Sequence, residues 1–374
     1  MNGKKSFLYL NEQDMIKAGV GDMHKCIDTM SRAFKTLSSG DYRMGGAYAN
    51  SHGLLMNFPK TTKFPNMPTA GPDRRFTVMP AYLGGEFNIS GVKWYGSNKE
   101  NQKCGLPRSI LTVMLNDTDT GLPISFMSAN ILSSMRTAAV SGVGAKYLAR
   151  KDARICGIIG PGVIGRTSLL AILDSCPGID TVKIYGRRMV TSKSLEEYIL
   201  KNIPQIKKIY CVEEMKAAAE ECDVICLAAS GNTPYIRIEE KWLKPGALVC
   251  LPAEVDFDED FMLNHAVLIS DDWLSYVDWL SELGYPAAAS NGILGFKWLD
   301  MVIEGKMNAE EKITDIGEII SGKKQGRTSE KDIILFSITG LAIEDVAWGY
   351  EIYKNAAAAG IGTELTLWNK PYIY

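Results

Sequence analysis

The stretch ICGIIGPGVIGRTSLLAIL, Ile155–Leu173, decides the reading of the fold. A short apolar run comes first. Glycines follow at Gly160, Gly162 and Gly165, and then an apolar pattern suited to a helix. A lone GxGxxG is weak evidence, but here a strand precedes it and a helix follows it. Each glycine then has its own use. Gly160 permits the tight turn, Gly162 lets a pyrophosphate approach the backbone, and Gly165 lets the helix pack close to the strand. The amides of Val163 and Ile164 open the helix, where the helix dipole favours negative charge. The stretch reads as a dinucleotide-binding turn.

The next strand bears on which dinucleotide. TVKIYGRRMVTSKS ends about 20 residues after the motif, where an acid would bind a ribose 2'-hydroxyl. This chain offers Arg187 and Arg188 there, with Thr191, Ser192 and Ser194 beyond. Arginines and hydroxyls suit a 2'-phosphate, so NADP(H) is expected in preference to NAD(H). The alternative is a solvated arginine pair on a loop. Ala229, Ser230, Gly231 and Asn232 follow the strand DVICLAA; Ala229, Ser230 and Asn232 are secondary cofactor positions on the nicotinamide side.

Strands and helices alternate from Ala153 onward: ICGII, TVKIY, DVICLAA, ALVCL and AVLIS, with helices between them. That alternation predicts parallel strands joined by crossover helices. The region before it differs. FLYL is a short strand, and a helix runs from about Met23 to Leu37 with Ile27, Met30, Phe34 and Leu37 on one face. From 41 to 126 the segments FTVMPAYL, ISGVKWYG, SILTVML and PISFMS predict an antiparallel or mixed sheet, with a hairpin turn at NDTDTGLP. Ser133 or Ser134 caps a further helix with a small-residue face, SSMRTAAVSGVGAKYLA. After Asp271 the chain is irregular and carries Trp273, Trp279 and Trp298, which fit either a lid or a dimer contact. A helix from about Asp332 to Asn355 closes the chain, and it is expected to return onto the N-terminal sheet.

The fold class is therefore α/β. A central Rossmann-type doubly wound domain spans 131–324. A discontinuous α+β domain is expected from 1–130 and 325–374.

Bulk properties exclude several function classes. The chain has 374 residues, 46% hydrophobic and 22% charged, with a net charge of -2. That balance gives no electrostatic case for nucleic acid or an anionic membrane. No apolar run approaches the roughly 20 residues of a membrane helix. The N-terminal apolar patch is too short for a signal-peptide core, so a cytoplasmic protein is expected. Cys222 and Cys226 are the closest of eight cysteines, and they read as buried residues around a strand. No metal site is expected.

Two further stretches point to one family. SANILSSMRTAAVSGVGAKYLARKDARICGIIGPGVIGR resembles the junction segment of the ornithine cyclodeaminase/mu-crystallin family. ITDIGEIISGKKQGRTSEKDIILFSITGLAIEDVAWGYEIYKNAAAAGIG resembles its C-terminal segment. FLYLNEQDM and GVKWYGSN resemble its N-terminal strand and its lysine strand. Regions 41–78, 94–107 and 271–310 look longer or divergent. The resemblance implies that 1–130 and 325–374 form a substrate-binding and dimerisation domain, that the protein is a homodimer or larger oligomer, and that hydride passes between a nicotinamide and a C–N carbon.

It also implies site residues. Lys93 matches the active-site lysine, able to anchor a carboxylate or to act as an acid if burial lowers its pKa. Arg136, in RTAA, matches the carboxylate-binding arginine, whose planar fork suits that ligand. Thr137 beside it joins the cofactor positions. Asp345, in LAIED, matches an acid taken as structural. Two departures stand out. A family arginine falls here near Asn66, and Arg74 and Arg75 lie close enough to replace it. The cyclodeaminase glycine-glycine-aspartate becomes PAEVDFDED, where Glu254 falls closest to the missing aspartate and Asp256 next.

Together these residues predict an NAD(P)-dependent oxidoreductase. Its substrate would be an amino acid, or the imine made from a keto acid and an amine. Lys93 and Arg136 would hold the carboxylate, and Glu254 would move the proton. The alternatives are a deaminating cyclase using bound NAD, and a non-catalytic small-molecule-binding subunit of a larger complex.

Overall fold

The computed structural model describes residues 4–229 and 235–373. The strands run in chain order as β1 (Lys5–Leu10), β2 (Tyr42–Met44), β3 (Leu54–Asn57), β4 (Arg75–Leu83), β5 (Ile89–Ser97), β6 (Ser109–Asn116) and β7 (Pro123–Ser128). Next come β8 (Ile155–Ile159), β9 (Thr181–Tyr185), β10 (Lys208–Val212), β11 (Val224–Leu227), β12 (Leu248–Leu251), β13 (Ala266–Ser270), β14 (Ile313–Asp315), β15 (Ile333–Ser337) and β16 (Thr363–Trp368). Two compact units result. The first is Met1–Asp22, Ser39–Arg136 and Leu341–Tyr374; the second is Met23–Ser38 and Thr137–Gly340.

The first unit is a mixed sheet in the order β16-β1-β7-β6-β5-β4-β2, with β3 added on β4. The β4–β5 register is unbroken from Arg75↔Ser97 to Leu83↔Ile89, and β5–β6 runs from Ser90↔Asn116 to Ser97↔Ser109. Side chains alternate faces along a strand. Met79, Lys93 and Val113 therefore share one face and are buried, while Trp94 and Ile110 point the other way and are exposed. The helix Ala342–Ala359 covers the buried face against β4, β5 and β6. Its Trp348 indole N–H donates to the Val20 carbonyl at 3.3 Å.

The second unit is an all-parallel sheet in the order β10-β9-β8-β11-β12-β15-β13-β14. From β8 the chain steps outward one way to β9 and β10, then returns to β11 on the other side of β8. Ligands of such sheets bind at that reversal, beyond the carboxyl ends of the strands. The glycine turn follows β8 at that place, and Ala228–Ala229 follows β11 beside it.

Several elements differ from the sequence reading. IILFS is a strand rather than the start of the closing helix. It pairs in parallel with β12 and β13, and Gly340, at φ +79°, breaks the chain before the helix begins at Ala342. An apolar β-branched run fits a buried strand as well as a helix, and only its partners decide. Residues up to Gly340 consequently belong to the second unit. So does Met23–Ser38, because it packs on the helices Val163–Ser175 and Ile316–Ile320. The segment after Asp271 forms helices Trp273–Leu283 and Leu294–Ile303. Trp298 and Trp279 are buried there, so neither forms a lid or an exposed dimer contact.

Gly165 tests how tightly the turn is built. A Cβ there would fall inside contact distance of the Gly160 carbonyl oxygen. Gly165→Ala should cost roughly 1–3 kcal/mol as overpacking. The thermal midpoint should fall by about 2–4 °C per kcal/mol for a unit of this size. A calorimetric scan of the variant checks it.

Candidate functional site

Four charged side chains meet on the buried face of the first unit's sheet. Asp345 accepts from Lys93 Nζ at 2.6 Å and from Arg136 Nε at 3.1 Å. Glu344 accepts from Arg136 Nη1 at 2.5 Å. All four are buried, with Glu344 and Asp345 fully so. Both acids lie in the first turn of their helix, where the dipole favours anions. Two cations answer two anions, which is the condition under which buried charge is tolerated. Arg136 Nη2 has no protein partner among the described residues, and Asp345 takes only one of the three Lys93 ammonium donors.

Burial lowers the Lys93 pKa to about 8, and the Arg136 charge adds to the shift; Asp345 and Glu344 oppose it. Burial would raise the Asp345 carboxyl, but Arg136 and Lys93 outweigh that and hold it below the ordinary carboxylate range. Lys93 can thus change charge near neutral pH while its anchor stays ionised.

Neither Ser133 nor Ser134 caps the helix that carries Arg136. The helix begins at Asn130, before either serine. The Asn130 side chain accepts from the Leu111 N–H and donates to the Ser109 carbonyl, both at 2.8 Å, and so fixes the helix on β6.

The two replacement arginines separate. Arg75 lies on the Lys93 face, with its guanidinium 5.5 Å from the centre of the Tyr95 ring. Arg74 donates to the Thr69 carbonyl at 3.1 Å and lines a cavity of about 690 Å³ on the opposite face, with Phe76, Trp94 and Ile110. It is not beside Lys93.

In the second unit the turn fits a dinucleotide. Gly160 has φ +96°, and a Cβ there would strike the Ala229 backbone. A Cβ on Gly162 would meet nothing within 4 Å, which leaves open space in front of the helix N-terminus. Val163 and Ile164 open that helix. Arg187 and Arg188 are exposed just beyond β9, without an ion-pair partner among the described residues. Thr137 is half-buried on the helix Asn130–Leu148. Ser230 and Asn232 lie outside the described residues.

The two acids after β12 also part. Glu254 is half-buried, and its charge adds to the burial that pushes the Tyr235 phenol up. Asp256 is paired with Lys297 and with Arg237, the latter at 3.3 Å, and Lys297 also donates to the Phe257 carbonyl at 2.6 Å. Asp256 therefore ties its segment together through two ion pairs. Among the described residues no group of three or more His, Cys, Asp or Glu could hold a metal, and no helix is long and apolar enough to cross a membrane.

Residues 20–360 match the sequence profile of the ornithine cyclodeaminase/mu-crystallin family. The chain belongs to this family. It is 30% identical over 365 residues to N-((2S)-2-amino-2-carboxyethyl)-L-glutamate dehydrogenase of Staphylococcus aureus, covering 97% of this chain and 99% of that one. The Delta(1)-pyrroline-2-carboxylate reductase of Thermococcus litoralis, solved with NADH and L-proline, superposes with a TM-score of 0.77. It is 26% identical, over 96% of this chain and 99% of that one. An archaeal alanine dehydrogenase dimer with bound NAD gives a TM-score of 0.76 at 25% identity, over 97% and 100%. These three relatives are dehydrogenases and a reductase of amino acids or imines, and the chain is an NAD(P)-dependent oxidoreductase of this family.

Within this ornithine cyclodeaminase-like chain, Glu344 is the site residue the sequence reading missed. The available signal was a second acid adjacent to Asp345 at the start of an otherwise apolar helix. Several buried acids of the second unit were missed as well. Asp271 accepts from the Thr339 N–H at 2.6 Å and the Gly340 N–H at 2.9 Å, closing the end of β15. Asp272 caps the helix Trp273–Leu283 through the Ser275 N–H at 3.1 Å. These acids satisfy backbone donors.

Asp345→Asn should cost roughly 3–5 kcal/mol in urea unfolding, because it leaves buried cations without their counter-charge. It should also move the Lys93 titration below about 8, since Asp345 is one of the charges holding it up.

Proposed function

We propose that the protein interconverts an amino acid and its imine, or the keto acid and amine that form that imine. The substrate carboxylate would be held by Arg136 and Lys93. The observation that carries this reading is the buried Lys93–Asp345–Arg136 cluster. Asp345 orients both cations and leaves Arg136 Nη2 and ammonium N–H groups free for a carboxylate. An incoming anion would also favour the charged form of Lys93. Glu254, half-buried and without the Lys297 contact that engages Asp256, is the group proposed to move the proton at nitrogen. A bound nicotinamide supplies the hydride acceptor or donor. The turn Gly160–Gly165 would hold its pyrophosphate. Arg187 and Arg188, with no acid beside them, would favour a 2'-phosphate and hence NADP(H). We place the protein in the cytoplasm as a homodimer.

The deciding experiment follows nicotinamide absorbance with a panel of 2-oxo acids, each with and without amines. Amine-dependent oxidation of the reduced cofactor is expected. Ammonia release without net change in the cofactor would instead indicate a deaminating cyclase. Binding without turnover would indicate a ligand-binding subunit.

Cofactor choice has its own readout. Fluorescence titration should show that Arg187→Ala with Arg188→Ala weakens NADPH by about 10- to 100-fold, the loss of charge-assisted hydrogen bonds. NADH should change little. Gly162→Ala should weaken both, because its new methyl enters the open space before the helix.

The pH dependence follows from Lys93. It is charged below about 8 and neutral above. If the ammonium is required, kcat/KM should fall about tenfold per pH unit above that value. Lys93→Arg keeps the charge at all these pH values. Its profile should lose the fall, at a lower maximum.

A further inference from the structure

The face that carries the ion cluster continues as a polar strip. Residues opposed across the ladders share a face. The row Met79, Lys93, Val113 is followed by Thr77, Tyr95, Leu111, and then by Arg75, Ser97, Ser109. At the far end Asp73 is buried between two arginines. It accepts from Arg75 Nη1, from the Ser97 hydroxyl, and from Arg108 Nε at 2.6 Å and Nη2 at 2.5 Å. Its φ of +59° is unusual for a residue with a side chain, and these contacts hold it there. One carboxylate faces two guanidiniums, so the trio carries a net positive charge. The remaining N–H groups of Arg75 and Arg108 have no protein partner among the described residues.

Between this trio and Lys93 lies a second sign of a ligand. Thr77 is 3% exposed, and its hydroxyl has no hydrogen-bond partner among the described residues. Buried hydroxyls in native proteins are normally paired, and leaving one unpaired is costly. Across the ladder from Thr77, the Tyr95 hydroxyl accepts from Ser109 at 3.1 Å, under the Arg75 guanidinium.

We infer that Arg75, Arg108 and Thr77 form a distal carboxylate subsite, so that the substrate is an amino acid or imine with a second acid group. This deepens the proposed function and rests on its placement of the first carboxylate at Arg136 and Lys93. The spacing is compatible. Tyr95 and Ser97 stand about 7 and 13 Å along the strand from Lys93. Arg75, leaning over Tyr95, brings a cation between those limits. A glutarate-like chain reaches the nearer one. A small monocarboxylate such as alanine would leave the strip unfilled.

Calorimetric titration with glutarate and with butyrate, on the whole protein, tests the subsite without turnover. The wild type should bind glutarate at least tenfold more tightly than butyrate. Arg108→Gln should weaken glutarate by about 10- to 100-fold, as expected for a charged hydrogen bond. Thr77→Val should weaken it severalfold without lowering the thermal midpoint, because no protein hydrogen bond is lost. That variant carries the test if Arg108→Gln fails to fold. Equal affinity for the two acids in the wild type would overturn the inference. So would an equal loss for both in the variants, which would mean the trio only closes its loop. Turnover separates the two proposals. With one fixed amine, the ratio of kcat/KM for 2-oxoglutarate over 2-oxobutyrate should fall at least tenfold in Arg108→Gln. Selective glutarate binding without turnover of either acid would keep the subsite and reject the proposed amination of a 2-oxo acid. Turnover with no preference for the dicarboxylate would do the reverse.

Discussion

Asp345 accepts from Lys93, 252 residues earlier in the chain, and from Arg136, 209 residues earlier. Closing loops of that length costs entropy, and burying the charges costs desolvation. Neither cost is recovered until the strand, the RTAA helix and the last long helix are all in place. Buried ion pairs are weak sources of stability, and a well-packed apolar cluster could close the same face. What an apolar cluster could not do is present two oriented cations and set one of them to titrate near pH 8. The cluster thus ties the two ends of the chain into one unit and gives that unit its chemistry.

The second unit follows from a different constraint. Its strands are parallel and its central ones buried, so the connections must cross over the sheet, most of them through helices. The order of strands then reverses beside β8, and the glycine turn falls at that reversal. Gly160 and Gly165 are required by backbone approach, whereas Gly162 faces open space. Within six residues, two glycines are fixed by close backbone approach and one borders open space. At the other end of the sheet, Asp271, Asp272 and Asp315 are held among backbone N–H groups. Their ionised forms are disfavoured by burial, and they act as closures for loops and helix starts.

Acidic and basic residues near one another in sequence divided by environment. Arg74 and Arg75 are adjacent, yet successive strand residues point to opposite faces, so only Arg75 shares the Lys93 side. Glu254 and Asp256 are two apart, yet Lys297 reaches only Asp256. Arg136 lies beyond the first turn of its helix because Asn130, not a serine, starts that helix and anchors it to β6.

The sequence by itself determined what is local. GxGxxG between an apolar strand and a helix specified the dinucleotide turn, and NDTDTGLP specified the β6–β7 hairpin, because steric limits on a few residues suffice for each. GVKW, RTAA and LAIED gave the family and three of the four charged residues of the cluster. Only the tertiary structure decided the rest. IILFS became a strand because β12 and β13 flank it, and Met23–Ser38 joined the second unit through the helices it packs on. Glu344 became a partner of Arg136, and Thr77, Arg75 and Arg108 came onto one face, through register and burial. Hydrogen bonding and desolvation depend on who the neighbours are. For these residues the neighbours lie on other strands and helices, so no local pattern encodes them.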